Sequence, residues 1–365
     1  MEYKRLGDIG TYINGYPFKP EDRGTEGLPI IRIQDLTGNA YDIGFYNGNY
    51  PKRIEINDGD VLISWSASLG VYLWDRGKAL LNQHIFKVVF EKCAVDKQYF
   101  IYAVQHKLKE MESKTHGATM KHIVKKDFDE TVIPFPSLGQ QAEISKTLSK
   151  TANIIAMRQQ QLSALDDLIK ARFVEMFGDP VANTLEWKTA LLREVTSKIG
   201  SGATPRGGKE SYQAEGITLI RSMNVHDGRF EYKDLAHITD EQAAQLNNVS
   251  VEEGDVFINI TGASVARSCI VPKDTLPARV NQHVAIIRCV RNLLNPTFAN
   301  NMFLNDRFKE QLLDIGESGG ATRQAITKQQ LEGLTVILPP MNQQEEFAAF
   351  VAQIDKSKFT TSEVS

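Results

Sequence analysis

The chain has 365 residues, with 42 Lys and Arg against 45 Asp and Glu, a net charge of −3. Apolar residues make up 42% and charged residues 24%, the composition of a folded globular protein, which excludes a disordered or fibrous chain and leaves room for two or three domains. No run approaches the roughly 18 apolar residues of a membrane span, and a mildly acidic chain that meets nucleic acid must do so through a local face.

The amino-terminal MEYKRLGDIG has no basic start followed by an apolar run, so no secretory signal is expected. Cys93, Cys269 and Cys289 form no Cys-x-x-Cys pair, which suits reduced thiols in the cytoplasm better than a disulfide frame or a metal site. From the first residues onward the chain reads as one half of a duplication. NGYPFKPEDRGTEGLPIIRIQDL at 14–36 leads through Gly, Pro and basic residues into an apolar strand. NDGDVLISWSASLG at 57–70 is a turn and a strand, Asn82-Gln83-His84 precedes another strand, and HGATMKHIVKKDFDETVIPFPSLGQQAEI closes the series at 116–144.

Every one of these recurs in the same order. SGATPRGGKESY at 201–212 leads into ITLIR, Gly59-Asp60-Val61 returns as Gly254-Asp255-Val256, Asn82-Gln83-His84 as Asn281-Gln282-His283, and the closing stretch as GGATRQAITKQQLEGLTVILPPMNQQEEF at 319–347. A period of roughly 200 residues is far longer than the 20–50 of a solenoid, so each copy is a whole domain.

Between the copies, residues 140–177 hold no Pro or Gly, and Gly178-Asp179-Pro180 stops them. Leu148, Ile155, Leu162, Ile169 and Met176 recur at sevens, with Ile144 and Leu165 close to that row, which predicts a heptad-like seam. At 1.5 Å per residue this is a rod of roughly 55 Å. A second helix is predicted from about 343, with Phe347, Val351 and Ile354 as its seam and TTSEVS as a disordered tail. In repeat register Ser365 falls on Leu162, so this helix is expected to be about fifteen residues shorter than the first. If the two pair antiparallel, the expectation is that 162–176 lacks an intramolecular partner and offers its seam to another protein or a second copy.

SGATPRGGKESY tests the idea of a nucleotide site. A phosphate-cradling loop needs Gly, four residues, then Gly-Lys-Ser/Thr. Here the spacing is one residue too long, Glu210 stands where a hydroxyl would hold magnesium, and the first copy lacks Gly-Lys. Arg206 and Lys209 remain candidates for the phosphates of a DNA backbone. No GxGxxG and no Asp/Asn-Pro-Pro-Tyr/Phe run occurs, and the Glu-x-Lys triplets at Glu2, Glu186 and Glu231 lack an upstream Pro-Asp. Catalytic and metal-binding residues are therefore not expected.

The duplicated set (the SGATPRGGKESY–GITLIRS stretch, both GDV, NQH and GAT elements, and the P-x-x-x-Q-Q/E helix starts from Pro136 and Pro339) resembles the specificity subunit of type I restriction-modification systems, over essentially the whole chain. The resemblance implies a mixed α/β (α+β) fold: two similar globular target-recognition domains at 1–137 and 181–340, a long coiled-coil-type helical spacer at 138–180, and a second, shortened helical region at 341–365. It implies a non-catalytic subunit that holds methyltransferase subunits on double-stranded DNA, is joined by restriction subunits, and reads one half of a bipartite asymmetric target with each domain, the helices setting the spacer. No cofactor is expected in this chain; S-adenosylmethionine, ATP and Mg belong to the partner subunits. The short distal helix departs from the family pattern.

If the domains read different half-sites, shared features are scaffold or phosphate clamps and divergent ones are base readers. Both NQH elements then read as scaffold, since Asn and Gln satisfy nearby backbone groups. Thr119 and Thr322 sit in turns that could face phosphate, followed by Lys121 and His122 in one copy and Arg323 and Gln324 in the other. Arg pairs with guanine and Gln with adenine. Ser64, Ser66 and Ser68 differ from Asn259, Thr261 and Ser264 after the GDV turns, and Arg32, Gln34, Arg221 and Asn224 leave the paired strands. Trp65 and Trp74 read as core, and Phe173 and Phe177 as helix or partner contacts. Two other classes stay open: a solitary nuclease or methyltransferase, and a protein-interaction scaffold whose domains bind a non-DNA ligand.

Overall fold

The computed structural model describes residues 2–114, 123–205, 207–317 and 324–362, without the side chains of 112–114, 209, 211 and 359–362. It divides into two units, Met1–Ala156 and Met157–Ser365.

In the first unit the strands are β1 (Tyr3–Arg5), β2 (Thr11–Asn14), β3 (Leu28–Ile31), β4 (Phe45–Tyr46), β5 (Glu55–Ile56), β6 (Val61–Ser64), β7 (Gly70–Leu73), β8 (Ala79–Leu81), β9 (Ile85–Val89) and β10 (Val132–Pro134). They form one four-stranded sheet in the order β2-β9-β6-β7, a second in the order β4-β3-β8-β5, and the pair β1-β10. The first sheet is antiparallel; in the second, β3 and β8 run parallel, Ile30 against Leu80 and Ile31 against Leu81. The helix Lys97–Lys114 packs on the first sheet through Phe100, Val104 and Leu108, all buried with Leu6, Ile9, Ile63 and Phe128. Trp74, Ile30, Leu62 and Leu80 fill a second core under the other sheet.

The second unit repeats the plan with β11 (Thr189–Leu191), β12 (Thr196–Ser201), β13 (Ile217–Ile220), β14 (Val225–His226), β15 (Arg229–Phe230), β16 (Ala236–Ile238), β17 (Val256–Asn259), β18 (Ser268–Ile270), β19 (Ala278–Val280), β20 (Val284–Cys289) and β21 (Thr335–Ile337). Its sheets run β12-β20-β17-β18 and β16-β13-β19, with β14-β15 and β11-β21 as pairs. The parallel pair recurs as β13 and β19, Thr218 against Ala278 and Ile220 against Val280. The helices Pro296–Leu304 and Asp306–Glu317 stand where the first unit has one helix.

The central helix runs Leu138–Phe177. Ser137 and Gln140 cap its start, the Ser137 N–H donating to Gln140 Oε1 at 3.2 Å. Gly178, at φ 71°, ends it, its N–H reaching Val174 O at 2.9 Å. The distal helix is Met341–Ser362. Phe347 packs against Phe173 and Phe177 with ring centroids 5.6 and 5.5 Å apart, Val351 and Ile354 share the core with Ile169, and Lys358 Nζ lies 2.7 Å from Asp166. The pairing is antiparallel, which corrects the expectation for the seam. Antiparallel order sets the start of the distal helix against the end of the central one, so Ile169, Phe173 and Phe177 are buried, Leu165 and Met176 partly so, and Leu162 is half-buried. The exposed apolar positions lie nearer the start of the central helix, where Ile144 is 37%, Leu148 41% and Ile155 49% exposed.

Candidate nucleic-acid interface

In each unit four separated segments meet at one junction. In the first, the chain leaving β2 turns at Gly15, where an added Cβ would stand 2.0 Å from Asn82 O. Tyr16 N–H then donates to Leu81 O at 2.8 Å, and Gln83 N–H to Tyr16 O at 2.9 Å. The end of β6 joins through Trp65 N–H to His84 O, 3.2 Å, and the segment after the GAT element returns at Ile123, whose N–H reaches Trp65 O at 3.0 Å. The second unit repeats the last two of these bonds, Ile260 N–H to His283 O at 3.0 Å and Ile326 N–H to Ile260 O at 2.8 Å, while at the turn Gly202 N–H goes to Asn281 O at 3.1 Å where Gly15 N–H goes to Ile85 O at 3.1 Å. A Cβ on Gly202 would lie 1.7 Å from Val280 O. The glycine of SGATPRGGKESY is thus explained by backbone contact with the strand that enters the NQH element, not by a nucleotide.

Side chains tighten the second junction. Thr204 Oγ1 donates to Gln282 Oε1; Gln282 Nε2 lies 3.1 Å from His283 Nε2, and His283 Nδ1 lies 2.5 Å from Thr261 Oγ1. The Gln282 carboxamide thus bridges Thr204 and the His283 ring, whose other nitrogen meets the Thr261 hydroxyl. Gln282 is thereby presented at the surface in a fixed orientation. In the first unit Trp65 donates from Nε1 to Asn14 Oδ1 at 3.3 Å and stacks on Phe86 at 5.5 Å. Asn82 and Asn281 use Oδ1 on nearby backbone, bonding Gln83 N–H at 2.9 Å and His283 N–H at 3.0 Å. Ala67 (φ 59°), His84 (φ 72°) and Ala266 (φ 66°) hold left-handed backbone beside these junctions, at a cost of about 1–3 kcal/mol each.

The sequence candidates sort by burial. Ser64, Ser66, Asn224 and Asn259 are buried, a correction to their choice as base readers. Ser64 Oγ donates to Ser68 O, Asn224 Nδ2 to Glu231 O, and Asn259 Nδ2 to Ser222 O, so these side chains tie loops inside their own unit. Arg32 and Arg221 are also held within their units: Arg32 by Asp35 at 3.1 Å and by Asp42, Arg221 by the carbonyl of Asp234 and by the face of Tyr212 at 5.4 Å. Gln34 and Ser68 are exposed, Thr261 and Ser264 half-buried, and Gln324 bonds Glu317 at 2.6 Å. Thr119, Lys121, His122, Arg206, Thr322 and Arg323, and the side chain of Lys209, lie outside the described residues. Sequence reasoning missed the close approach of Gly15 to Asn82 O, the matching approach of Gly202 to Val280 O, and the Thr204–Gln282–His283–Thr261 chain; the matched glycines after β2 and β12 were the available signal.

The type I restriction modification DNA specificity domain matches residues 1–166 and again 184–363. The chain belongs to that family. As a specificity-domain protein it is 22% identical over 378 residues to the EcoBI specificity subunit of Escherichia coli, covering 96% of this chain and 78% of the relative. It is 23% identical over 371 residues to the MjaVIII specificity subunit of Methanocaldococcus jannaschii, covering 97% and 86%. Its fold is that of the type I restriction-modification S subunit from M. genitalium, with a TM-score of 0.58 at 14% identity over 99% of this chain and 91% of that one. A chain from a study of complex assembly and conformational transition in the type I R-M system gives a TM-score of 0.53 at 17% identity, over 100% and 93%. Among the described residues no group of three His, Cys, Asp or Glu could hold a metal ion, and no helix is long and apolar enough to cross a membrane.

Proposed function

We propose that this chain is the non-catalytic specificity subunit of a type I restriction-modification complex, in which each unit reads one half of a bipartite, asymmetric DNA target. The observation that carries this reading is the repeated junction: the same segments meet in both units through matching backbone bonds from Trp65 and Ile260, Ile123 and Ile326, and Asn82 and Asn281, while the side chains around the shared Asn-Gln-His element differ. One framework with two sets of surface groups is what two half-sites require. The helices set the unread spacer and dock the methyltransferase subunits, with the exposed row Ile144, Leu148 and Ile155 as the contact face. Self-association through the same row is the competing occupant. Restriction subunits join through the complex; S-adenosylmethionine, ATP and Mg serve the partners' chemistry, and the work is cytoplasmic, where the DNA is. Lys121, His122, Arg206, Lys209, Arg323 and Gln324, with Thr119 and Thr322, stand as the DNA-facing candidates.

The test is binding of duplex DNA by the complex co-purified with its methyltransferase, measured against salt. Neutralised phosphates release counterions, so log K is expected to fall with log salt at a slope of roughly −0.9 per phosphate contact. A complex that forms but shows no salt-dependent DNA binding would favour the alternative, a scaffold whose domains hold a non-DNA ligand.

A further inference from the structure

Gln141 and Gln344 occupy equivalent places three residues into their helices, and both are buried. Gln141 Oε1 accepts the N–H of Asp96 at 2.9 Å, and its Nε2 donates to Pro136 O at 2.8 Å. Gln344 Oε1 accepts the N–H of Asn295 at 2.9 Å, and its Nε2 donates to Pro339 O at 2.8 Å and Leu293 O at 3.3 Å. Asp96 and Asn295 are themselves caps: Asp96 Oδ1 accepts Tyr99 N–H at 2.7 Å, and Asn295 Oδ1 accepts Thr297 N–H at 2.8 Å. One carboxamide in each unit therefore joins the exit from the last strand, the start of the spacer helix and the start of the recognition unit's own helix. A polar side chain buried with donor and acceptor both engaged fixes one geometry, because any rotation of the helix against the unit strands both groups without water.

We propose that Gln141 and Gln344 are positioning residues that fix the angle at which each recognition unit leaves its helix, and so hold the spacer between the half-sites to one length. The proposal rests on the bipartite reading above. The lever is large: a turn of about 10° at a hinge roughly 20 Å from a base-reading loop moves that loop by about 3.5 Å, close to the roughly 3.4 Å rise of one base pair. Neither glutamine touches DNA; each acts through the Asp96 or Asn295 cap.

The experiment uses the full chain in complex with its methyltransferase and maps methylated sites for the wild type, Gln141→Leu and Gln344→Leu, with the half-buried neighbour Gln343→Leu as control. Leucine keeps the bulk of the side chain and removes both hydrogen bonds. The expected result is that both half-sites keep their bases while methylation at spacers one base pair longer or shorter, relative to the native length, rises at least about fivefold; Gln343→Leu leaves the ratio unchanged. Should the leucine variants fail to fold, Gln141→Asn and Gln344→Asn, which keep the neutral amide on an arm too short to make both bonds, carry the test with a smaller spread in the same direction. Lower methylation with the spacer still held to one length would overturn the positioning role and leave a stability staple. A wild-type complex that marks no two-part motif overturns the bipartite reading itself, a result distinct from a variant that marks both halves at a fixed spacer.

Discussion

Asp255 is fully buried and gives both carboxylate oxygens to Arg288, Oδ1 to Nε at 2.8 Å and Oδ2 to Nη2 at 2.8 Å, while Oδ2 also accepts the N–H of Glu252. The first unit has the same device in weaker form: Asp60 accepts the N–H of Asn57 and an ion pair from Lys87, both at 2.8 Å. The repeated GDV element is thus a turn lock, and Asp255→Ala, which takes the buried carboxylate from a guanidinium that keeps Glu252 and the Ser250 carbonyl, is expected to cost the second unit about 2–4 kcal/mol in urea unfolding, more than Asp60→Ala costs the first. The cysteines give a pH signature. Burial pushes the Cys269 and Cys289 thiols up to about 12, from an unfolded value of about 8.5. A raised pKa favours the folded state fully below about pH 8.5, and that contribution is lost as pH climbs toward 12. The unfolding midpoint of the second unit should fall across that window, and at pH 8 a thiol reagent should label half-buried Cys93 in the folded chain and the other two only after unfolding. At this scale the sequence misleads where both faces of a strand are covered. β6 and β17 are buried at every position, so no polar alternation reveals that Ser64 and Asn259 point inward. Their hydroxyl and amide looked like reading groups because composition carries no burial.

The helices show the same lesson at the next scale. Residues repeating at sevens located the central helix, but over a straight helix that row drifts around the surface. The buried face follows Leu165, Ile169, Phe173 and Phe177 instead, because a 3.6-residue turn brings i and i+4 together. Four aromatic rings close it: Phe173 stacks on Phe298 at 5.6 Å, and Phe177 meets Phe298 and Phe347 edge-on at 4.8 and 5.5 Å. Trp187 Nε1 donates to Phe177 O at 3.1 Å and finishes the helix. Phe173→Ala should cost about 3–5 kcal/mol and loosen the helix pair. Ile155→Ser, on the bare part of the same helix, should change stability by less than about 0.5 kcal/mol. It should nonetheless weaken recovery of the methyltransferase complex in a pull-down; undiminished recovery would remove the Ile144–Leu148–Ile155 row as the contact face. The direction of pairing, which decides which part is bare, was the one relation the repeat register could not give, because equivalence by duplication and contact by antiparallel packing order the residues oppositely.

For the whole molecule, the duplication was the most legible feature, since two copies of a fold keep the same turns, glycines and buried strands even where their surfaces diverge. Both units carry the four-stranded antiparallel sheet, the parallel pair and the strand pair that closes the unit, and the two junctions share the backbone bonds that join the end of β6 or β17 to the Asn-Gln-His element and to the returning segment. What the comparison of copies cannot order is the surface itself: loops that read different bases are the segments free to differ in length and composition. The central claim is that the two units read separately. Its most direct test replaces residues 1–137 with the corresponding domain of another specificity subunit, co-expresses the hybrid with its methyltransferase, and maps the methylated sites. One half of the target should change while the other half keeps its bases; an unchanged target, or a change in both halves, would contradict the claim.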